Sequence, residues 1–130
     1  APAIVDMRLH LMTDGREIDA IAEESSVLRE LNMPPVVLTL YAPNAFHTFS
    51  REYAAGLYTY LWSEMIAADI GEAFRSTPNG LYDKDVASKY YADLLSVGFT
   101  KPTDEAFRTF RGRDPDPDAL LRRFDLISVK

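Results

Sequence analysis

Apolar positions recur at helical spacing along most of this chain, and strand-like alternation is nearly absent. Residues 4–12 are mostly apolar and read as the continuation of a helix that begins upstream, broken by Asp14-Gly15. Within residues 17–32, Ile18, Ile21, Leu28 and Leu31 fall on one side and acids on the other, which predicts an amphipathic helix. Pro34-Pro35 ends it, because proline lacks an amide proton and disfavours helix just before it. Residues 36–41 are β-branched and extended, yet a lone strand has no partner here, so they read as a linking segment. A long helix is predicted over residues 53–74, rich in Ala, Leu, Met and Glu. Gly56 lies inside that span at a cost of about 1 kcal/mol relative to alanine, which a close neighbouring backbone would explain.

Turn and capping chemistry divides the rest. Thr77-Pro78-Asn79-Gly80 is a turn. Asp83 then caps a helix whose buried row is Val86, Tyr90 and Leu94, and Gly98 stops it. Thr103 caps a short helix with Asp104 and Glu105 in its first turn, Phe107 and Phe110 as anchors and Gly112 as its end. Asp116 followed by Pro117 starts a last helix, with Leu120, Leu121 and Phe124 as its buried side. The tail 127–130 reads as loose. The fold class that follows is all-α, with about five to six helices in a single segment, 1–130.

Composition narrows the chemistry. The 130 residues are 47% hydrophobic and 26% charged, with a net charge of −6 and no basic patch to track phosphates, which argues against nucleic acid. No apolar run is long enough to span a bilayer, and no signal peptide is visible; Ala1-Pro2-Ala3 reads as a trimmed end. Cysteine is absent, so there is neither a disulfide nor a thiolate metal site. His10 and His47 are the only histidines, and neither has a second histidine four positions away, as a zinc helix requires. His10 reads as a satisfied helix histidine. A Gly-x-Ser-x-Gly elbow and a glycine-rich phosphate loop are also missing. Glu23-Glu24 and the acids of residues 114–118 read as solvated faces and caps.

Residues 46–64 carry what chemistry remains: His47, three tyrosines and the only tryptophan. On the predicted helix, Tyr53, Leu57 and Tyr60 share a face that Glu64 extends, while Tyr58 and Trp62 point elsewhere. A phenol donates a hydrogen bond to a carbonyl oxygen, or to the oxyanion formed when water attacks it. Two readings of this stripe stay open: a grip on peptide backbone, or ordinary core packing.

The pattern Phe-His-x-Phe-x-x-x-Tyr-Ala-Ala-Gly-x-Tyr-x-Tyr-Leu-Trp-Ser-Glu over residues 46–64 resembles the thimet oligopeptidase and peptidyl-dipeptidase (oligopeptidase A-like) family of zinc metallopeptidases. Phe107-Arg108-Thr109-Phe110-Arg111-Gly112-Arg113-Asp114-Pro115 and Asp118-Ala119-Leu120-Leu121-Arg122-Arg123 resemble the C-terminal end of such sequences. Val5-Asp6-Met7 with His10, and Leu31-Asn32-Met33-Pro34, add to the likeness.

The resemblance implies the C-terminal portion of a helical metallopeptidase catalytic domain, with the His-Glu-x-x-His zinc motif upstream of Ala1. Zinc is then expected in the intact enzyme and no cofactor in this chain, which alone is not expected to be active. His47, Tyr53 and Tyr60 are the implied substrate-binding residues, and Tyr60 is also the implied oxyanion stabiliser; Tyr58 is structural. Implied partners are short peptides and the zinc-binding part of the domain, or a second copy of the chain; the expected compartment is the cytoplasm. Two departures stand out. Leu57 occupies a position that is usually tyrosine in the family, and Ser50-Arg51-Glu52 replaces glycines that would let the loop move. They motivate an alternative: a stand-alone, non-catalytic helical binding module derived from such a peptidase.

Overall fold

A computed structural model describes residues 1–34, 36, 46, 49–50 and 52–128. The linking segment expected over 36–41 lies outside the described residues apart from Val36, and so does His47. Six α-helices are present among the described residues, with no strand: α1 Pro2–His10, α2 Ala20–Glu30, α3 Tyr58–Arg75, α4 Lys84–Tyr90, α5 Thr103–Arg111 and α6 Asp118–Arg123. A 3-10 turn, Gly80–Tyr82, precedes α4, and a π-helical turn, Tyr91–Leu95, continues it. The all-α expectation holds. The chain divides into two compact units, Ala1–Leu61 and Trp62–Lys130.

The first unit has a small core, in which Val5 of α1 and Val27 of α2 are buried against Leu9 and Ala20. Asp19 caps α2, its carboxylate accepting from the amides of Ile21 and Ala22. That satisfies two of the donors a helix start leaves free and places the start three residues later than the apolar pattern indicates. The face of α2 also differs from expectation. Val27 and Glu24 are buried, whereas Ile18, Ile21 and Leu31 are exposed. Contact with α1 selects the Val27 side, and helical periodicity carries no information about that choice. Arg8 of α1 donates two hydrogen bonds to the Glu30 carboxylate, closing the far end of the pair.

The second unit buries Met65 and Ala68 of α3, Ala106, Phe107 and Phe110 of α5, and Ala119 of α6. Tyr90 stands edge-on between Phe74 and Phe110, with ring centroids 5.9 and 5.7 Å away. Asp83 caps α4 by accepting from the amides of Asp85 and Val86, as its position predicts. Gly112 ends α5 in the left-handed conformation at φ 74°, where glycine carries no Cβ penalty. Asp116 accepts from the Asp118 amide at the start of α6. Two expectations are corrected. Thr103 is the first residue of α5 and makes no capping bond, since Pro102 precedes it as the boundary residue. On α6 the buried residue is Ala119, while Leu121 and Phe124 are exposed; a helix of six residues turns less than twice and buries only one narrow side.

Gly-flanked arginines explain the motif at residues 111–113. Asp69 of α3 is fully buried and receives Arg111 Nε at 2.8 Å, Arg113 Nη1 and Nη2 at 2.7 Å each, and the Asp116 amide at 2.8 Å. One turn on, Glu72 receives Arg122 Nε at 2.6 Å and Nη2 at 2.9 Å, and Arg122 also reaches Asp116 at 2.7 Å. A buried carboxylate is costly unless hydrogen bonds and counter-charges surround it. Here the turn after α5 wraps round Asp69 to supply them, which fixes the path from α5 to α6.

Candidate functional site

Tyr53 lies on the approach to α3 and Tyr60 in its first turn, both in the first unit. The helix begins at Tyr58, five residues later than predicted, so Tyr53 is not on it. Residues 52–55 form a turn instead: the Tyr53 amide donates to Ser50 O at 2.9 Å, and the Gly56 amide to Tyr53 O at 2.9 Å. The shared helical face of Tyr53, Leu57 and Tyr60 is therefore corrected. Ala55 takes the left-handed conformation at φ 54°, which no helix accommodates. A Cβ on Gly56 would meet Tyr53 O at 3.0 Å, so the close neighbouring backbone expected at Gly56 is its own turn.

A carboxylate from α1 sets the new start. The Leu57 amide donates to Asp6 Oδ2 at 3.0 Å, across 51 positions of sequence. Thr59 adds a local bond, its hydroxyl donating to Gly56 O at 2.6 Å. The amide of Leu57 would otherwise be an unpaired donor at a helix start. Asp6 is fully buried. His10, one helical turn on, holds Nδ1 2.9 Å from Asp6 O and 3.0 Å from Asp6 Oδ1. One ring N–H serves one acceptor well, and the backbone oxygen has the better alignment, so Oδ1 has a close ring nitrogen but no hydrogen bond. The outer face of His10 stacks on Phe49, with centroids 5.4 Å apart and planes 28° from parallel.

Both tyrosines are partly open to solvent. Tyr60 is 55% exposed and Tyr53 39%. Exposure does not separate Tyr58 from them, since it is as open as Tyr60. Glu64, which the predicted stripe included, sits 3.7 Å from Arg123 and is engaged in the second unit. Asp6 is the residue that sequence patterning passed over. Its signal was present: the one acid of α1, four residues before a histidine. Among the described residues, no group of three His, Cys, Asp or Glu side chains is placed to hold a metal ion, so zinc does not fit here. No described helix is long and apolar enough to cross a membrane.

The chain belongs to peptidase family M3, whose family model matches residues 2–126. It is 35% identical over 127 residues to oligopeptidase A of Haemophilus influenzae, covering 96% of this chain and 18% of that protein. Probable cytosolic oligopeptidase A of Arabidopsis thaliana is 32% identical over 133 residues, covering 98% of this chain and 19% of that protein. Dipeptidyl carboxypeptidase of Salmonella typhimurium is 26% identical over 123 residues, with 92% and 18% covered. The chain thus spans under a fifth of the length of these relatives. No solved structure matches it.

Proposed function

We propose that this chain is the substrate-binding, C-terminal portion of a zinc-dependent oligopeptidase or dipeptidyl carboxypeptidase that cleaves short peptides. The observation that carries this is the family match over residues 2–126. Tyr53 and Tyr60 contact peptide backbone, and His47 joins them. The Tyr60 hydroxyl donates to the carbonyl oxygen of the cleaved bond. That hydrogen bond strengthens as negative charge develops on the oxygen, which lowers the barrier rather than merely tightening substrate binding. Zinc in the intact enzyme is held by a His-Glu-x-x-His segment upstream, and the chain alone hydrolyses nothing. The rest of the catalytic domain covers the apolar positions that α2 leaves open. The working compartment is the cytoplasm, in line with the cytosolic relative.

The test is Tyr60→Phe in the full-length protein, assayed on short peptides. Loss of one oxyanion donor lowers kcat by about 10²- to 10³-fold with KM little changed. An unchanged kcat would remove Tyr60 from the chemistry. Peptide binding to this chain alone that survives replacement of His47, Tyr53 and Tyr60 would favour the alternative of a stand-alone binding module.

A further inference from the structure

We propose that Asp6 and His10 are positioning residues: one turn of α1 clamps both ends of the loop that carries Tyr53. At the near end, Phe49 stacks on His10 at 5.4 Å. At the far end, the Leu57 amide donates to Asp6 Oδ2 at 3.0 Å. Tyr53 sits midway between these anchors, and the helix that presents Tyr60 starts directly after the second one. The two anchors are joined to each other, since His10 Nδ1 lies within 3.0 Å of both Asp6 O and Asp6 Oδ1.

Three features argue that this is more than packing. A fully buried carboxylate is an expensive way to fill space, and among the described residues of this unit the buried apolar side chains are two valines, so Asp6 is retained for what it holds. Its one long-range hydrogen bond goes to the backbone of the α3 approach, where a side chain of any type is tolerated. The turn it holds contains a non-glycine residue at positive φ, Ala55, a conformation that persists only where its surroundings impose it. The stack on Phe49 turns the same histidine towards the other end of the loop.

The functional half rests on the peptide-contacting role given above to Tyr53 and Tyr60; the mechanical half does not. Amide hydrogen exchange reads the mechanical half in this chain. Asp6→Ala should speed exchange at Leu57 by about 10- to 100-fold while Val27 and Phe107 change by less than about threefold. Asp6→Asn keeps an oxygen acceptor and should recover most of the protection. If Asp6→Ala does not fold, His10→Leu replaces it: the ring-proton shifts of Phe49 should move towards those of a free phenylalanine. A folded Asp6→Ala chain with unchanged Leu57 exchange, or Phe49 shifts unmoved by His10→Leu, overturns the clamp. In the full-length protein, Asp6→Ala should lower kcat/KM on a short peptide at least about tenfold, with partial rescue by Asp6→Asn. Faster Leu57 exchange without any loss of kcat/KM overturns the positioning role. An inert Tyr60→Phe, by contrast, counts against the peptidase chemistry and leaves the clamp standing.

Discussion

Asp69 and Arg113 form a bidentate pair: Nη1 meets Oδ2 and Nη2 meets Oδ1, both at 2.7 Å. The acid is fully buried, whereas the arginine keeps 40% of its side chain in solvent. The asymmetry sets the expected cost of breaking the pair. Asp69→Asn strands Arg111, the more buried of the two arginines, beside a neutral amide. It should destabilise the chain by about 3–5 kcal/mol, the usual penalty for an uncompensated buried charge. Arg113→Lys keeps the charge but loses the planar fork, and should cost less than Arg113→Ala. Urea unfolding followed by circular dichroism measures both, and an Arg113→Lys chain as stable as the parent would deny the fork its role.

The same carboxylate links folding to pH. Burial alone would raise the Asp69 pKa. The Arg113 hydrogen bonds, the Asp116 amide and the two guanidinium charges outweigh burial and hold it below the ordinary value. The Arg122 hydrogen bond holds Asp116 down, and the Arg8 hydrogen bond brings Glu30 to about 2. Groups with depressed folded pKa values bind fewer protons folded than unfolded, so their stabilisation is complete above the unfolded pKa and is lost as pH falls towards the folded one. The chain should therefore lose stability between about pH 4.5 and about pH 2, with no contribution from these groups to any slope above about pH 5. Urea midpoints taken across that range check the sign. In Asp69→Asn the acid-side slope should flatten.

Core identity makes a third expectation. Phe107 is buried, so Phe107→Ala should cost about 3–5 kcal/mol through lost burial and the cavity left behind. Phe124, which apolar spacing also places in the core, is 54% exposed, and Phe124→Ala should cost less than about 1 kcal/mol. The ratio of the two, measured by thermal unfolding, tests the packing of α6 through Ala119 directly.

What could be read from the sequence was local. Asp83 and Gly112 mark helix ends because the groups they satisfy, or the φ they permit, lie within a few residues. The face of α2 could not be read, since both of its sides carry apolar residues and only α1 decides between Val27 and Ile21. Nor could the start of α3, since helix formers run on through residues 53–57 and the donor that stops them is held by Asp6, 51 positions away. The tyrosines stand out by residue type alone, while helical spacing places Tyr53 on a helix it does not join. Asp69 gave no local signal: its partners, Arg111 and Arg113, lie more than 40 positions downstream.

The open side of α2 yields the last expectation. Ile18, Ile21 and Leu31 are each more than a third exposed, and Ile21 is 54% exposed. Burial of a leucine-sized side chain is worth about 1.5–3 kcal/mol, so residues left this open forgo most of that in the isolated chain. Ile18→Ser and Ile21→Ser should then change its unfolding free energy by no more than about 0.5 kcal/mol. Water-facing apolar side chains also favour contact between copies, so the isolated chain should associate as its concentration rises, and the double variant should associate less. Sedimentation equilibrium on both proteins measures this. In the full-length protein the expectation reverses: if the rest of the catalytic domain covers this side, the same pair of substitutions should cost several kcal/mol, since two buried isoleucines are then lost. A cost that stays small there would leave α2 facing solvent in the intact enzyme.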